Sequence, residues 1–184
     1  AGPYKSTDGG ANWKPINAGL TQLTGAWNGV SSLAFDPKDH LRLYHADPSA
    51  GIFYSTDGGE TWQEFNKELS RVSARNAISR FILDPNNTNS LYLAIANGLV
   101  KSNDRGRTWQ FVDILIPPKA LPADALVLNP QDSNMINVGV DTLLYKSEDG
   151  GVNWSVQKLD TAKRIAIMVV DKKDPKSILL GMKV

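Results

Sequence analysis

Four copies of one eight-residue pattern, Ser-x-Asp-x-Gly-x-x-Trp, run through this chain and limit what it can fold into. They are "STDGGANW" (6–13), "STDGGETW" (55–62), "SNDRGRTW" (102–109) and "SEDGGVNW" (147–154). The closing tryptophans stand at 13, 62, 109 and 154, so the period falls from 49 to 47 to 45 residues. A repeat of that length suits a propeller blade or a solenoid unit, in which each copy is one supersecondary element.

A second pattern repeats between the boxes. It reads "LAFDPKDHLRLYHA" (33–46), "FILDPNNTNSLYLA" (81–94), "LVLNPQDSNMINVG" (126–139) and "MVVDKKDPKSILLG" (168–181). Each is an apolar run, a polar turn, then a second apolar run. Counted from the turn-opening Asp36, Asp84, Asn129 and Asp171, position +7 is aliphatic in every copy: Leu43, Leu91, Ile136 and Ile178. Position +10 is small in every copy: Ala46, Ala94, Gly139 and Gly181. No stretch of 10–12 residues with a 3.6-residue period fits between the turn signals.

Each unit therefore reads as four short antiparallel strands, which is one propeller blade. The expected fold is an all-β propeller. A right-handed β-helix is the structural alternative, although its rungs are usually shorter. The expected blades are 31–66, 77–113 and 124–158, with half-blades at 1–17 and 164–184. The chain is then one propeller domain or part of a larger propeller. Joining residue 184 to residue 1 would restore the spacing of a whole blade, since Asp171 to Ser6 would span 19 residues and Asp36 to Ser55 also spans 19. Three arrangements follow: a closed four-blade ring, a head-to-tail assembly of copies, or a piece of a longer propeller. Unpaired edge strands predict self-association or further blades that complete the ring.

The box belongs in the turn between the third and fourth strands. Gly10, Gly59, Gly106 and Gly151 share one box position, where a positive φ is expected. Asp8, Asp57, Asp104 and Asp149 can accept hydrogen bonds from turn N–H groups, and Ser6, Ser55, Ser102 and Ser147 can add to that network. Trp13, Trp62, Trp109 and Trp154 begin the outer strands and are expected to fold back over the blade. Features present in every unit read as structure rather than as a site. A calcium loop needs several oxygen ligands at alternating positions, and a phosphate loop needs a lysine and a following helix. Neither pattern is present, and no metal or cofactor is expected.

Ser-x-Asp-x-Gly-x-x-Trp resembles the Asp-box, or BNR repeat, over essentially the whole chain. The phrasing is similar to that of bacterial xyloglucanase-like, sortilin-like and photosystem II assembly factor-like propellers. The resemblance implies an exported protein, secreted or periplasmic. It implies a ligand of protein or polysaccharide nature, or glycoside hydrolysis of a β-glucan such as xyloglucan. The Arg-Ile-Pro motif of sialidases does not occur.

With 20 basic and 19 acidic residues and a net charge of +1, charge directs the chain neither to nucleic acid nor to an anionic membrane. The longest apolar runs are far too short to span a bilayer, and residues 1–20 have no signal-peptide pattern. There is no cysteine, hence no disulfide, thiolate metal site or thiol nucleophile.

Family-level expectation places any site on the loops opposite the boxes. Trp27 lies in the loop 17–30 and could stack on a sugar. Arg71, Arg75 and Arg80 form a local basic cluster able to receive a carboxylate. Asp47, Asp113, Asp124 and Asp141 are candidate acids, but a glycosidase needs two carboxylates across the scissile bond and the sequence does not pair them.

Overall fold

The computed structural model describes residues 2–20, 29–48, 50–70, 78–96, 98–114 and 123–183. It divides into two compact units, Ala1–Ile78 and Ser79–Val184. The fold is all-β, built of antiparallel sheets in which every strand pairs only with a neighbour in sequence.

Unit 1 holds a two-stranded sheet, β1 (Tyr4–Lys5) and β2 (Lys14–Pro15). It also holds a four-stranded sheet in chain order: β3 (Ser32–Asp36), β4 (Asp39–Asp47), β5 (Gly51–Ser55) and β6 (Gln63–Glu64). A short helix, α1 (Asn66–Ser70), follows β6. The strand reading did not foresee it. A single turn of helix is too short to leave an amphipathic period in the sequence.

Unit 2 takes in the second four-stranded sheet, with β7 (Ile78–Leu83), β8 (Leu91–Ile95), β9 (Gly98–Ser102) and β10 (Gln110–Val112). Next comes β11 (Ala123–Leu128), β12 (Ile136–Val140), β13 (Leu143–Ser147) and β14 (Ser155–Lys158). A two-stranded sheet, β15 (Arg164–Val170) and β16 (Ile178–Lys183), ends the unit.

Burial explains the strand compositions. The second strands β8 and β12 are buried at every residue. The fourth strand β14 is exposed throughout, as an outer edge should be. In unit 2, Tyr92, Ala94 and Leu99 of one sheet share a core with Leu126, Leu128, Ile136 and Val138 of the next. Ala125, Leu144, Ile165 and Met168 form a second core between that sheet and β15–β16. In unit 1 the core is Leu20, Leu43, Phe53 and Trp62.

The rule of a small residue at position +10 has a steric cause. A Cβ on Gly139 would stand 2.7 Å from Ile165 Cγ2 and 3.1 Å from Ala125 Cβ. Glycine here admits close packing of the next sheet's first strand.

The turns between first and second strands are closed by their opening side chain. Asp84 Oδ1 accepts the N–H groups of Asn86 (2.8 Å) and Asn87 (3.1 Å), and Asn129 Oδ1 accepts that of Gln131 (2.8 Å). Asp36 and Asp171 do the same for Lys38 and Lys173. Aspartate and asparagine are interchangeable because only an acceptor oxygen is needed.

Candidate functional site

The boxes are four copies of one hydrogen-bonded clasp. In each, the serine Oγ accepts the N–H of the glycine four residues on, at 2.8 Å for Gly10, Gly59, Gly106 and Gly151. The same hydroxyl donates to its aspartate Oδ1 at 2.8, 2.7, 2.8 and 2.9 Å. The aspartate then accepts twice from the residue just before the tryptophan. Its Oδ1 takes that residue's N–H, and its Oδ2 takes the side chain: Asn12, Thr61, Thr108 and Asn153. This position escaped the sequence reading, although a short polar donor stands there in all four boxes.

These bonds stabilise the charged carboxylate. The backbone N–H and side-chain amide of Asn12, with the Ser6 hydroxyl, bring Asp8 down to about 2. The Thr61 hydroxyl and N–H, with Ser55, do so for Asp57. The N–H and amide of Asn153 hold Asp149 at about 2. For Asp104, burial pushes upward, but the combined bonds from Thr108 and Ser102 outweigh it and the carboxyl is lowered. The aspartates are thus held as turn acceptors, unsuited to donating a proton in catalysis.

Two adjacent box positions have positive φ. The second is always glycine, at 95°, 100°, 89° and 97° for Gly10, Gly59, Gly106 and Gly151. The first is Gly9 (72°), Gly58 (76°), Arg105 (61°) and Gly150 (74°). A φ near 60° lies in the left-handed well open to L-residues at modest cost, whereas 90–100° does not. Hence an arginine is tolerated in the first position only. Arg105 is anchored by its Nε to Asn89 Oδ1 (2.9 Å). In three boxes the same position binds the clasp to the preceding hairpin: Gly58 N to Leu41 O (2.8 Å), Arg105 N to Asn89 O (2.9 Å) and Gly150 N to Asn134 O (2.9 Å).

The tryptophans are less uniform than the motif suggests. Trp13, Trp109 and Trp154 donate Nε1–H to the carbonyl of their own box glycine at 3.0–3.1 Å. Trp62 instead donates to Ile16 O (2.6 Å), tying its sheet to the strand that follows the first box. Trp62 and Trp109 are buried, but Trp13 is 61% exposed. The expectation that each covers a blade therefore fails at the first box.

Of the loop-side residues singled out in the sequence, Trp27, Arg71 and Arg75 lie outside the described residues. Arg80 directs its guanidinium to main-chain carbonyls, Ser79 O at 2.9 Å and Ala166 O at 3.1 Å. Asp47 is fully buried and its Oδ1 accepts the N–H of Ala50 at 2.9 Å, closing the turn before β5. Beside it, His45 stacks on Phe53 with ring centroids 5.8 Å apart. Burial brings this imidazole down to about 4 against the opposing pull of Asp47, so it is neutral at physiological pH. Asp113 is exposed after β10. Asp141 occupies the turn after β12 with φ 53°, and its carbonyl accepts the N–H of Ile165 at 2.7 Å. Asp124 is gripped by the Arg164 guanidinium and by Lys183 Nζ at 3.1 Å, which ties β11 to both strands of the last sheet. Among the described residues, no three His, Asp or Glu side chains converge as a metal site would need. Among the described residues, no helix is long and apolar enough to cross a membrane.

The sheets and their repeated clasp define the class: the fold is that of a β-propeller, and four stretches of the chain carry the Asp-box pattern. A family model, the BNR/Asp-box repeat, matches residues 53–64, spanning the second box. Among solved structures, a GH74 enzyme of Niastella koreensis is similar with a TM-score of 0.80 and 24% identity, over 98% of this chain and 30% of that one. The extracellular domain of BT4673 from B. thetaiotaomicron gives 0.61 and 15%, over 78% and 19%. YCF48 from Cyanidioschyzon merolae gives 0.53 and 21%, over 77% and 47%. This chain therefore spans less than half the length of each. No curated protein sequence matches it.

Proposed function

We propose that this chain is a non-catalytic binding or scaffold propeller, exported from the cell, that presents its interblade loops to a protein or polysaccharide. The observation that carries the reading is how three of the loop-side polar groups are used. Asp47 closes a turn, Asp124 is paired with two cations, and Arg80 is spent on carbonyls. A general acid or nucleophile needs a carboxylate presented to substrate, and these side chains are committed to holding strands together. The fold likeness to an extracellular domain supports export. Trp27 is assigned the role of a stacking platform for a sugar ring.

A second reading, that the chain is a portion of a β-glucan hydrolase, is favoured by the likeness to a GH74 enzyme along nearly its whole length. Incubation with xyloglucan separates the two. The binding reading expects retention of the chain on immobilised xyloglucan, weakened by Trp27→Ala, with no new reducing ends. Release of oligosaccharides that is lost in Asp113→Asn or Asp141→Asn would overturn it.

A further inference from the structure

We propose that the third box, in unit 2, holds the carboxylate of an acidic sugar, gripped by Arg105 and Arg107. The site lies at the clasp between β9 and β10, not on the interblade loops. It is therefore separate from the binding role proposed above.

The four boxes share one clasp, but among their eight-residue stretches the third alone contains a cation. Arg105 stands where the other boxes have Gly9, Gly58 and Gly150, and Arg107 where they have Ala11, Glu60 and Val152. Two arginines against Asp104 give the third box a net charge of +1. The first carries only Asp8, at −1, while Asp57 with Glu60 and Glu148 with Asp149 put the second and fourth at −2. The turn itself does not call for arginine. Its φ of 61° is one that glycine adopts at lower cost, and glycine serves there in the other three copies.

The Arg105 guanidinium is held but not used up. Its Nε–H donates to Asn89 Oδ1 at 2.9 Å, and Nη2 donates one hydrogen to Thr88 Oγ1 at 3.4 Å. These two donors form one edge of the planar group. The other edge, Nη1 with the second hydrogen of Nη2, has no partner among the described residues. Two parallel N–H groups on such an edge match the two oxygens of a carboxylate. The bracing is firm: Thr88 is buried, and Asn89 O also accepts the main-chain N–H of Arg105 at 2.9 Å. The open edge is thus oriented before any ligand arrives, which reduces the freedom lost on binding. Arg107 is exposed two residues further on and supplies a second cation.

Both arginines line a hollow of about 410 Å³ together with Asn89, Asn103 and Asp104. Asp104 is committed elsewhere. Its Oδ1 accepts from the Ser102 hydroxyl and the Thr108 N–H, and its Oδ2 accepts from the Thr108 hydroxyl. Its negative charge is opposed by two positive ones. The lining has no aliphatic or aromatic side chain. An acidic peptide segment relies on apolar contacts around its carboxylate, and none is offered here. A uronate ring instead surrounds its carboxylate with hydroxyls, which the amides of Asn89 and Asn103 suit as partners.

The test variant uses the residue that the other boxes already have. Arg105→Gly removes the guanidinium and keeps the turn, whereas Arg105→Lys keeps the charge without the planar fork. Titration calorimetry of the whole chain with trigalacturonate is expected to show binding that weakens as salt is raised. Arg105→Gly and Arg105→Lys should each weaken it about tenfold or more, as expected for a lost pair of charge-assisted hydrogen bonds. Circular dichroism spectra should match that of the native chain. The methyl ester of the trisaccharide, which lacks the charge, should not bind. Trp27→Ala should leave trigalacturonate binding unchanged, whatever it does to retention on xyloglucan. Absence of trigalacturonate binding by the native chain overturns the proposal. So does equal affinity in the native chain and Arg105→Gly, or triglutamate bound as tightly as trigalacturonate.

Discussion

Replacing the box serine by alanine in each copy separates a buried clasp from an exposed one. In the third box, Ser102 Oγ accepts the N–H of Gly106 at 2.8 Å and donates to Asp104 at 2.8 Å, and both Ser102 and Gly106 are buried. Ser102→Ala leaves the glycine N–H without an acceptor and out of reach of bulk water. An orphaned buried donor costs about 1–3 kcal/mol. Asp104 keeps both bonds from Thr108, so the loop should persist and the loss should stay near about 2 kcal/mol. For a chain of this size, 1 kcal/mol moves the melting temperature by about 2–4 °C, so Ser102→Ala should lower it by about 4–8 °C. In the first box the same bond, Gly10 N–H to Ser6 Oγ, is exposed. Water can replace the hydroxyl there, and Ser6→Ala should cost no more than about 0.5 kcal/mol, or about 1–2 °C. Ser55→Ala and Ser147→Ala should behave like Ser102→Ala. Differential scanning calorimetry on the four variants measures this. Equal shifts for Ser6→Ala and Ser102→Ala would refute the claim that burial of the clasp sets its worth.

Other outcomes follow from the same geometry. Asp8, Asp57 and Asp149 are lowered from 3.8 to about 2; their contribution is complete above pH 4 and fades as pH falls from about 4 to 2, visible as falling melting temperatures by circular dichroism. His45 is lowered from 6.5 to about 4, so the unfolded chain binds the extra proton between those values and stability falls as pH drops through that window; His45→Leu should flatten that part of the profile. Gly139→Ala forces a methyl against Ile165 Cγ2 and should cost about 1–3 kcal/mol; because Ile165→Ala removes that carbon, the Gly139→Ala/Ile165→Ala double variant should lose less stability than the sum of the two single variants by chemical denaturation. Gly106→Ala, at φ 89°, should destabilise by about 1 kcal/mol or more, whereas Arg105→Gly, at φ 61°, should change stability by less than about 1 kcal/mol in the same assay.

Repetition made the fold readable in the sequence. Four boxes, four turn openers and the +7 and +10 positions predict four-stranded antiparallel sheets, and the all-β sheets are found. What repetition conceals is difference between copies. Nothing in "STDGGETW" says that Trp62 bonds Ile16 O while the other three bond their own glycine, because the choice depends on which strand lies alongside. Nor does the first box reveal that Trp13 is exposed while Trp62 and Trp109 are buried. The candidate site was less legible still. Asp124 reads as an acid in the sequence, but Arg164 and Lys183, distant in the chain, determine its use. Arg80 reads as part of a basic cluster until Ala166 O is seen to take its guanidinium. Such pairings join residues many positions apart and leave no periodic signal.

Each sheet is assembled from strands consecutive in sequence, and that bears on how the chain reaches its fold during synthesis. Once Val112 has left the ribosome, the sheet begun at Ile78 has all its strands. Its clasp, from Ser102 to Trp109, needs only local loop closure. Blades can then fold in order, each offering an apolar face to the next as it emerges, so folding proceeds as growth from a template rather than as one global search.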